Sequence, residues 1–166
     1  MNFKLIKIWK DSGEDIYQML QQILWKENWI INEMYWKTIE DFQQRKIDKE
    51  NESLWIWLKP ERVKVGTFCF FVDDKPLWIG KLRHKLNESL MIKWWNISYI
   101  LVEAARGKGY WTKILELLLI KAKGIWLKKV LLTCEKDNIW SYKIIEKNNG
   151  ILENIIEWER RYWIQL

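Results

Sequence analysis

Glycine is scarce in this chain. It occurs 7 times in 166 residues, against 14 tryptophans, where ordinary proteins carry glycine at about 7%. Tryptophan also falls where the chain turns, at places that suit a residue with no Cβ. Cysteine is equally rare: Cys69 and Cys134 lie inside apolar runs, without C-x-x-C or Cys/His spacing. That excludes a disulfide framework or a zinc site of recognisable spacing and reads both as reduced core residues. There is one histidine, His84. No apolar run approaches the roughly 20 residues of a membrane span, and lysines interrupt the start M-N-F-K-L-I-K-I-W-K too often for a signal core. A cytoplasmic location is expected. No block of five or six like charges is present, so no dedicated nucleic-acid arm is expected either.

What is present is enough chain for one domain, residues 1–166, with a real core. The formal charge of +6 and pI near 9.2 suit a polyanionic ligand without choosing one. Residues 3–8 alternate as a first strand, and from Asp15 the set Ile16, Met19, Leu20, Ile23, Leu24 has the spacing of a one-faced helix. A second helix opens on a Thr38 cap with Glu40 and Asp41 and runs to about Ile47; the polar stretch Asp48 to Ser53 and the Pro60 region read as a loop. Thr67 to Val72 and Leu77 to Arg83 flank the turn sequence Asp73-Asp74-Lys75-Pro76 and should pair as an antiparallel hairpin. Val130 to Cys134 reads as a strand covered on both faces, followed by a helix over about Asn138 to Lys147 and a closing hairpin of Ile151–Glu157 with Arg161–Leu166.

The organising stretch is Asn96 to Gly124. A strand, Ile97 to Val102, leads into a basic loop, Arg106 to Trp111, and then into a helix buried along Ile114, Leu115, Leu118, Leu119 and Ala122 and ended by Gly124. Such a loop brings backbone N–H groups and the positive end of a helix to one point, which holds a phosphate or pyrophosphate. Neither G-x-G-x-x-G nor G-x-x-x-x-G-K-[ST] fits Arg106-Gly107-Lys108-Gly109-Tyr110-Trp111.

The frame that fits is [QR]-x-x-G-x-[GA], with Arg106 and Gly109 in place and Trp111 at its last position. Around it stand Arg83-His84-Lys85-Leu86-Asn87, Trp94-Trp95-Asn96-Ile97-Ser98-Tyr99, Leu131 to Cys134, Asp137-Asn138-Ile139-Trp140-Ser141, Ile145 to Gly150 and Arg161 to Ile164. Together these resemble the GNAT superfamily of acyl-CoA-dependent N-acetyltransferases, in particular its bacterial predicted-acetyltransferase subgroup with RHxLN, RGKGYxT and RYWI motifs. The resemblance implies an α/β fold of layered α+β type: a mixed central sheet of about six to seven strands, helices on both faces, and two parallel strands splayed into an acyl-CoA slot. It implies acetyl transfer from acetyl-CoA to a primary amine, small molecule or peptide, with a homodimer possible and no nucleic-acid or membrane partner.

By the same resemblance, cofactor contacts fall at Leu101, Glu103, Arg106, Gly107, Lys108, Gly109, Tyr110, Trp111 and Thr112, with Asn138 and Ser141 flanking the pantetheine arm. His84 is the candidate base, with Glu103 and Glu135 as alternatives; Arg83 and Asn87 are candidates to hold a carboxylate on the acceptor. No metal is implied. Two departures weigh the other way, toward a non-catalytic acyl-CoA-binding module: the family's catalytic tyrosine position is Ile145, and its histidine before the central strand is Asn96. An RNA-binding reading rests only on pI and aromatic content. Trp94, Trp95 and Trp111, with Trp29, Trp78 and Trp126, occupy glycine sites of the family pattern, whereas Trp163 matches a true tryptophan. Codons UGA read as glycine in the source would account for that pattern.

Overall fold

The computed structural model describes residues 1–27, 30–56, 62–93 and 95–166; the expectations at Trp29, Pro60 and Trp94 lie outside the described residues. The chain opens with β1 (Phe3–Lys7) and α1 (Glu14–Gln21), whose buried face is Ile16, Met19 and Leu20. Helix α1 stops short of the expected span: Ile23 is buried beyond its end, and Leu24 is 60% exposed. A two-stranded hairpin, β2 (Lys26–Glu27) and β3 (Ile30–Ile31), follows.

Helix α2 (Ile39–Leu54) opens on Thr38, as its capping residues dictate: Thr38 Oγ1 accepts from Asp41 N–H, and Asp41 accepts from Thr38 N–H. The polar stretch expected to be a loop is its second half. Asp48, Lys49 and Glu52 are polar there because they form an ion-pair network with Arg45, Glu33 and Lys81. Polarity on a helix facing charged neighbours carries no loop signal.

β4 (Val65–Val72) and β5 (Lys75–Arg83) form the expected hairpin, turned by Asp73 and Asp74 at φ 47° and 64°. β4 is buried at seven of eight positions because β1 and β5 flank it and α2 covers it. After a short α3 (Glu88–Lys93) come β6 (Ile97–Leu101), a 3-10 turn (Glu103–Ala105) and α4 (Tyr110–Gly124). Helix α4 buries Ile114, Leu115, Leu118 and Ala122. Gly124 is its last helical residue; the left-handed position that ends the helix is Trp126, at φ 64°. β7 (Lys129–Glu135), α5 (Ile139–Lys147), β8 (Ile151–Ile156) and β9 (Glu159–Gln165) complete the chain.

Seven strands fall into two ladders, β1-β4-β5-β6 and β7-β9-β8. Both cysteines are free and buried. Among the described residues no helix is long and apolar enough to cross a membrane.

Candidate active site

The ladders join through Asn96. Its backbone N–H donates to Leu131 O at 2.9 Å, its Oδ1 accepts from Leu131 N–H at 2.8 Å, and its Nδ2 donates to Arg83 O at 3.2 Å. One buried amide therefore holds β5, β6 and β7 together, which is why this position is polar and only 3% exposed. Past this clasp β6 and β7 form no ladder. Both run outward from it, so they are parallel and diverging, as expected.

The gap is a cavity of about 580 Å³, walled by Ile97–Ile100 on one side and Thr133–Glu135 on the other. Its mouth is the glycine loop. Gly107 and Gly109 sit at φ 73° and 75°, and a Cβ on either would meet nothing within 4 Å. The dihedral, not crowding, requires glycine, and it leaves the backbone bare beside open space. Helix α4 starts there without a side-chain cap and without an acid in its first turn, whereas α1 and α2 begin with Glu14 and Asp15 and with Glu40 and Asp41. The first N–H groups of α4 thus look for an anion from outside.

The structure brings Arg106, Gly107, Gly109, Trp111 and Thr112 to this cavity, with Asn138, Ser141 and Glu135 opposite. Asn138 Oδ1 caps α5 by accepting from Ser141 N–H at 3.0 Å. Lys108 is exposed at the loop tip, Glu103 is exposed in the 3-10 turn, and Tyr110 packs edge-on to Phe3 at 6.1 Å; none of these three is on the cavity wall, and the backbone of Leu101 ends β6 opposite Trp78.

His84 lies away from the gap, on neither cavity wall, with its N–H on Lys64 O at 2.9 Å. Burial, then Lys64 and Lys7, pull its pKa down to about 4. Arg83 Nη1 donates to Trp95 O at 2.9 Å, and Asn87 Oδ1 caps α3 by accepting from Leu90 N–H at 2.9 Å, so both shape the chain around the clasp.

Tyr99, in the sequence the last residue of the motif Trp94-Trp95-Asn96-Ile97-Ser98-Tyr99 and assigned no role there, lines the gap. Its ring packs tilted against Trp111 at 4.8 Å between centroids, and burial raises its phenol well above the usual value, so it stays protonated. Its place in that motif and inside the strand Ile97 to Val102 gives no sign that its phenol faces a cavity. Cys134 also lines the gap, pushed up to about 11 by burial, as does Glu159, whose carboxyl burial raises. Trp95, Trp111 and Trp140 bring three indoles to the same wall.

A second cavity lies between the sheet and α1, β3 and α2, about 60 Å³ in volume. Ser98, Tyr99 and Ile100 wall both cavities, so β6 is the partition between them. Around the second cavity stand Arg45, Lys46, Lys49 and Lys81 with one acid, Glu33. Burial opposes ionisation of Glu33, yet Lys49, Lys81 and Arg45 together hold its carboxyl at about 2.

No protein-family model matches this sequence, and no curated protein matches it significantly. Solved structures do match along nearly the whole chain. The GNAT domain of S. lividans PAT superposes with a TM-score of 0.66 at 10% identity, over 99% of this chain and 90% of its own. A ribosomal L7/L12 alpha-N-protein acetyltransferase in complex with coenzyme A gives 0.66 at 15% identity, over 100% and 95%. The aminoglycoside acetyltransferase AAC(6')-Ib in complex with coenzyme A gives 0.65 at 14% identity, over 99% and 95%. Two ladders fastened at one point, a diverging parallel pair and a glycine loop at its mouth make this the fold of the GNAT acetyltransferases.

Proposed function

We propose that the protein transfers an acetyl group from acetyl-CoA directly to a primary amine. The observation that carries this is the wedge between β6 and β7 opening onto the bare loop at Gly107 and Gly109. Acetyl-CoA supplies the activated acetyl thioester. The loop and the uncapped start of α4 suit its pyrophosphate, with Arg106 adding charge, and the edge of β6 that lacks a partner offers backbone groups to an extended arm. A backbone N–H at this edge is placed to stabilise a thioester oxyanion.

Tyr99, protonated and on the wall of both cavities, is the best-placed donor to a departing thiolate. Glu135 is the candidate among the strand-end carboxylates to receive the amine proton, through water. His84 is neutral above about pH 4 and remote from the wedge, so it serves as base only through a relay. One observation favours a non-catalytic acyl-CoA-binding module instead: Ile145, at the family's tyrosine position, is 1% exposed in the core.

Calorimetry with CoA, combined with thiol release from acetyl-CoA over a panel of primary amines, separates the two. Binding with turnover is expected. Binding without turnover on any amine favours the module, and no CoA binding ends both readings.

A further inference from the structure

Four basic side chains around the small cavity, Arg45, Lys46, Lys49 and Lys81, face three carboxylates of the ion-pair network, Glu33, Asp48 and Glu52, which leaves one positive charge in surplus. Lys49 is 8% exposed. Its Nζ lies 2.9 Å from Glu52 and 3.6 Å from Glu33, yet burial and Lys81 keep its pKa below the usual lysine value. Glu33 is shared among Arg45, Lys49 and Lys81; Arg45 also pairs with Asp48 and Glu52 and Lys49 with Glu52, whereas the carboxylate beside Lys81 is the shared Glu33, at 3.5 Å. On the floor, Thr67 is 1% exposed and its Oγ1 has no hydrogen-bond partner. A buried hydroxyl without a partner is costly, and here it pairs in register with Lys81. A single water needs about 10–15 Å³ on the measure that gives this cavity 60 Å³. It therefore takes a carboxylate and a few carbons, beside the apolar surface of Leu20, Met34, Phe42 and Ile79.

Resting on the acetyltransferase reading, we propose that this cavity is the acceptor's anchor, and that the acceptor is a small amine bearing a carboxylate, of the apolar amino-acid class. The carboxylate supplies the negative charge that Lys81 only shares through Glu33, and accepts from Thr67. The partition at Ser98–Ile100 then separates the anchored molecule from the acyl wedge by one strand.

The test compares L-valine, L-valinamide and isobutylamine, three amines with one apolar body. L-valine alone should raise the melting temperature, whether or not acetyl-CoA is turned over. Thr67→Val should raise the melting temperature of the free protein, because the orphaned hydroxyl is gone, while weakening valine binding about tenfold. Lys81→Met should lower the ratio of kcat/KM for valine over isobutylamine about tenfold, a ratio of ratios in which the different basicities of the amines cancel. Turnover of all three amines with a ratio unmoved by Lys81→Met overturns the anchor and leaves the acetyltransferase intact. CoA binding with no turnover, but with valine-specific stabilisation, keeps the anchor and overturns the transfer. A peptide beginning with valine that outcompetes free valine overturns the assignment to a small molecule.

A separate observation concerns the tryptophans. Among the described residues, seven other than glycine have positive φ: Asp73, Asp74, Asn149, Glu157 and three tryptophans, Trp36, Trp55 and Trp126. Aspartate and asparagine tolerate that region, whereas a bulky residue there is an outlier. Trp126 ends α4 with N–H bonds from Trp126 to Lys123 O and from Leu127 to Ala122 O. Asn149 ends α5 the same way, with Gly150 bonded to Ile145 O, and Ile56 N–H reaches Asn51 O around Trp55 at the end of α2. These are glycine-type helix ends. The indoles of Trp36 and Trp126 are 82% and 87% exposed and gain little from packing.

We infer that positions 36, 55 and 126 are glycine in the protein as its own cell makes it, encoded by UGA. Trp36 and Trp55 are selected by backbone geometry alone, since the sequence motifs never pointed to them. Peptide masses from protein isolated at its natural source should show glycine at all three positions. Tryptophan masses, or UGG codons, overturn the inference. In recombinant protein, Trp55→Gly and Trp126→Gly should each raise the melting temperature, while Trp163→Gly, which removes the ring under Lys129 Nζ at 4.1 Å, should lower it. Loss of stability in all three overturns the backbone argument.

Discussion

The two halves of the sheet are built on opposite terms. The four-stranded half is paired along its length, with β4 buried at seven of eight positions and α2 tied down by a charge network. The three-stranded half meets it through Asn96, and its outer strand β8 is exposed at all six positions. The difference teaches that the wedge is made by withholding hydrogen bonds, not by carving out side chains.

Asn96→Ala should have the largest effect on stability, because it strips partners from the buried Leu131 N–H and leaves a void: about 2–4 kcal/mol, read by denaturant unfolding. If β6 and β7 were held together elsewhere, the loss would stay under about 1 kcal/mol. Gly109→Val tests the open side. It forces a β-branched residue into φ 75°, costing roughly 1–2 kcal/mol, and should weaken CoA binding at least about tenfold by calorimetry. Glu33→Gln should act on the closed half alone, destabilising by about 1–2 kcal/mol because Arg45, Lys49 and Lys81 lose their shared anion; CoA affinity should not change.

The smallest effect concerns pH. His84 has its pKa lowered from 6.5 to about 4, so between those values the unfolded chain binds more protons than the folded one. Stability should therefore fall as pH drops from 6.5 toward 4. His84→Gln should flatten the part of that slope due to histidine, while activity at pH 8 changes little.

Much of this architecture was legible in the order of elements, because β4 and β7 are short continuous apolar runs, α4 carries helical periodicity, and the Asp73-Asp74 turn and Thr38 cap carry their own chemistry. What stayed hidden was set by partners distant in sequence. The second half of α2 is polar because it faces Glu33 and Lys81, not because it is a loop. Asn96 resembled a lost catalytic histidine until its three hydrogen bonds appeared. The arrangement of Tyr99 between two cavities, and of Thr67 beneath Lys81, depends on which strand lies next to which, and no local pattern records that.

A wedge riveted at its apex behaves like a pair of shears. A slight rotation at the rivet is multiplied along the blades, so the aperture near the loop responds to changes at Asn96, Arg83 or Leu131 that touch no reactant. Selection could then retune the width of this slot for different ligands without altering any residue that lines it.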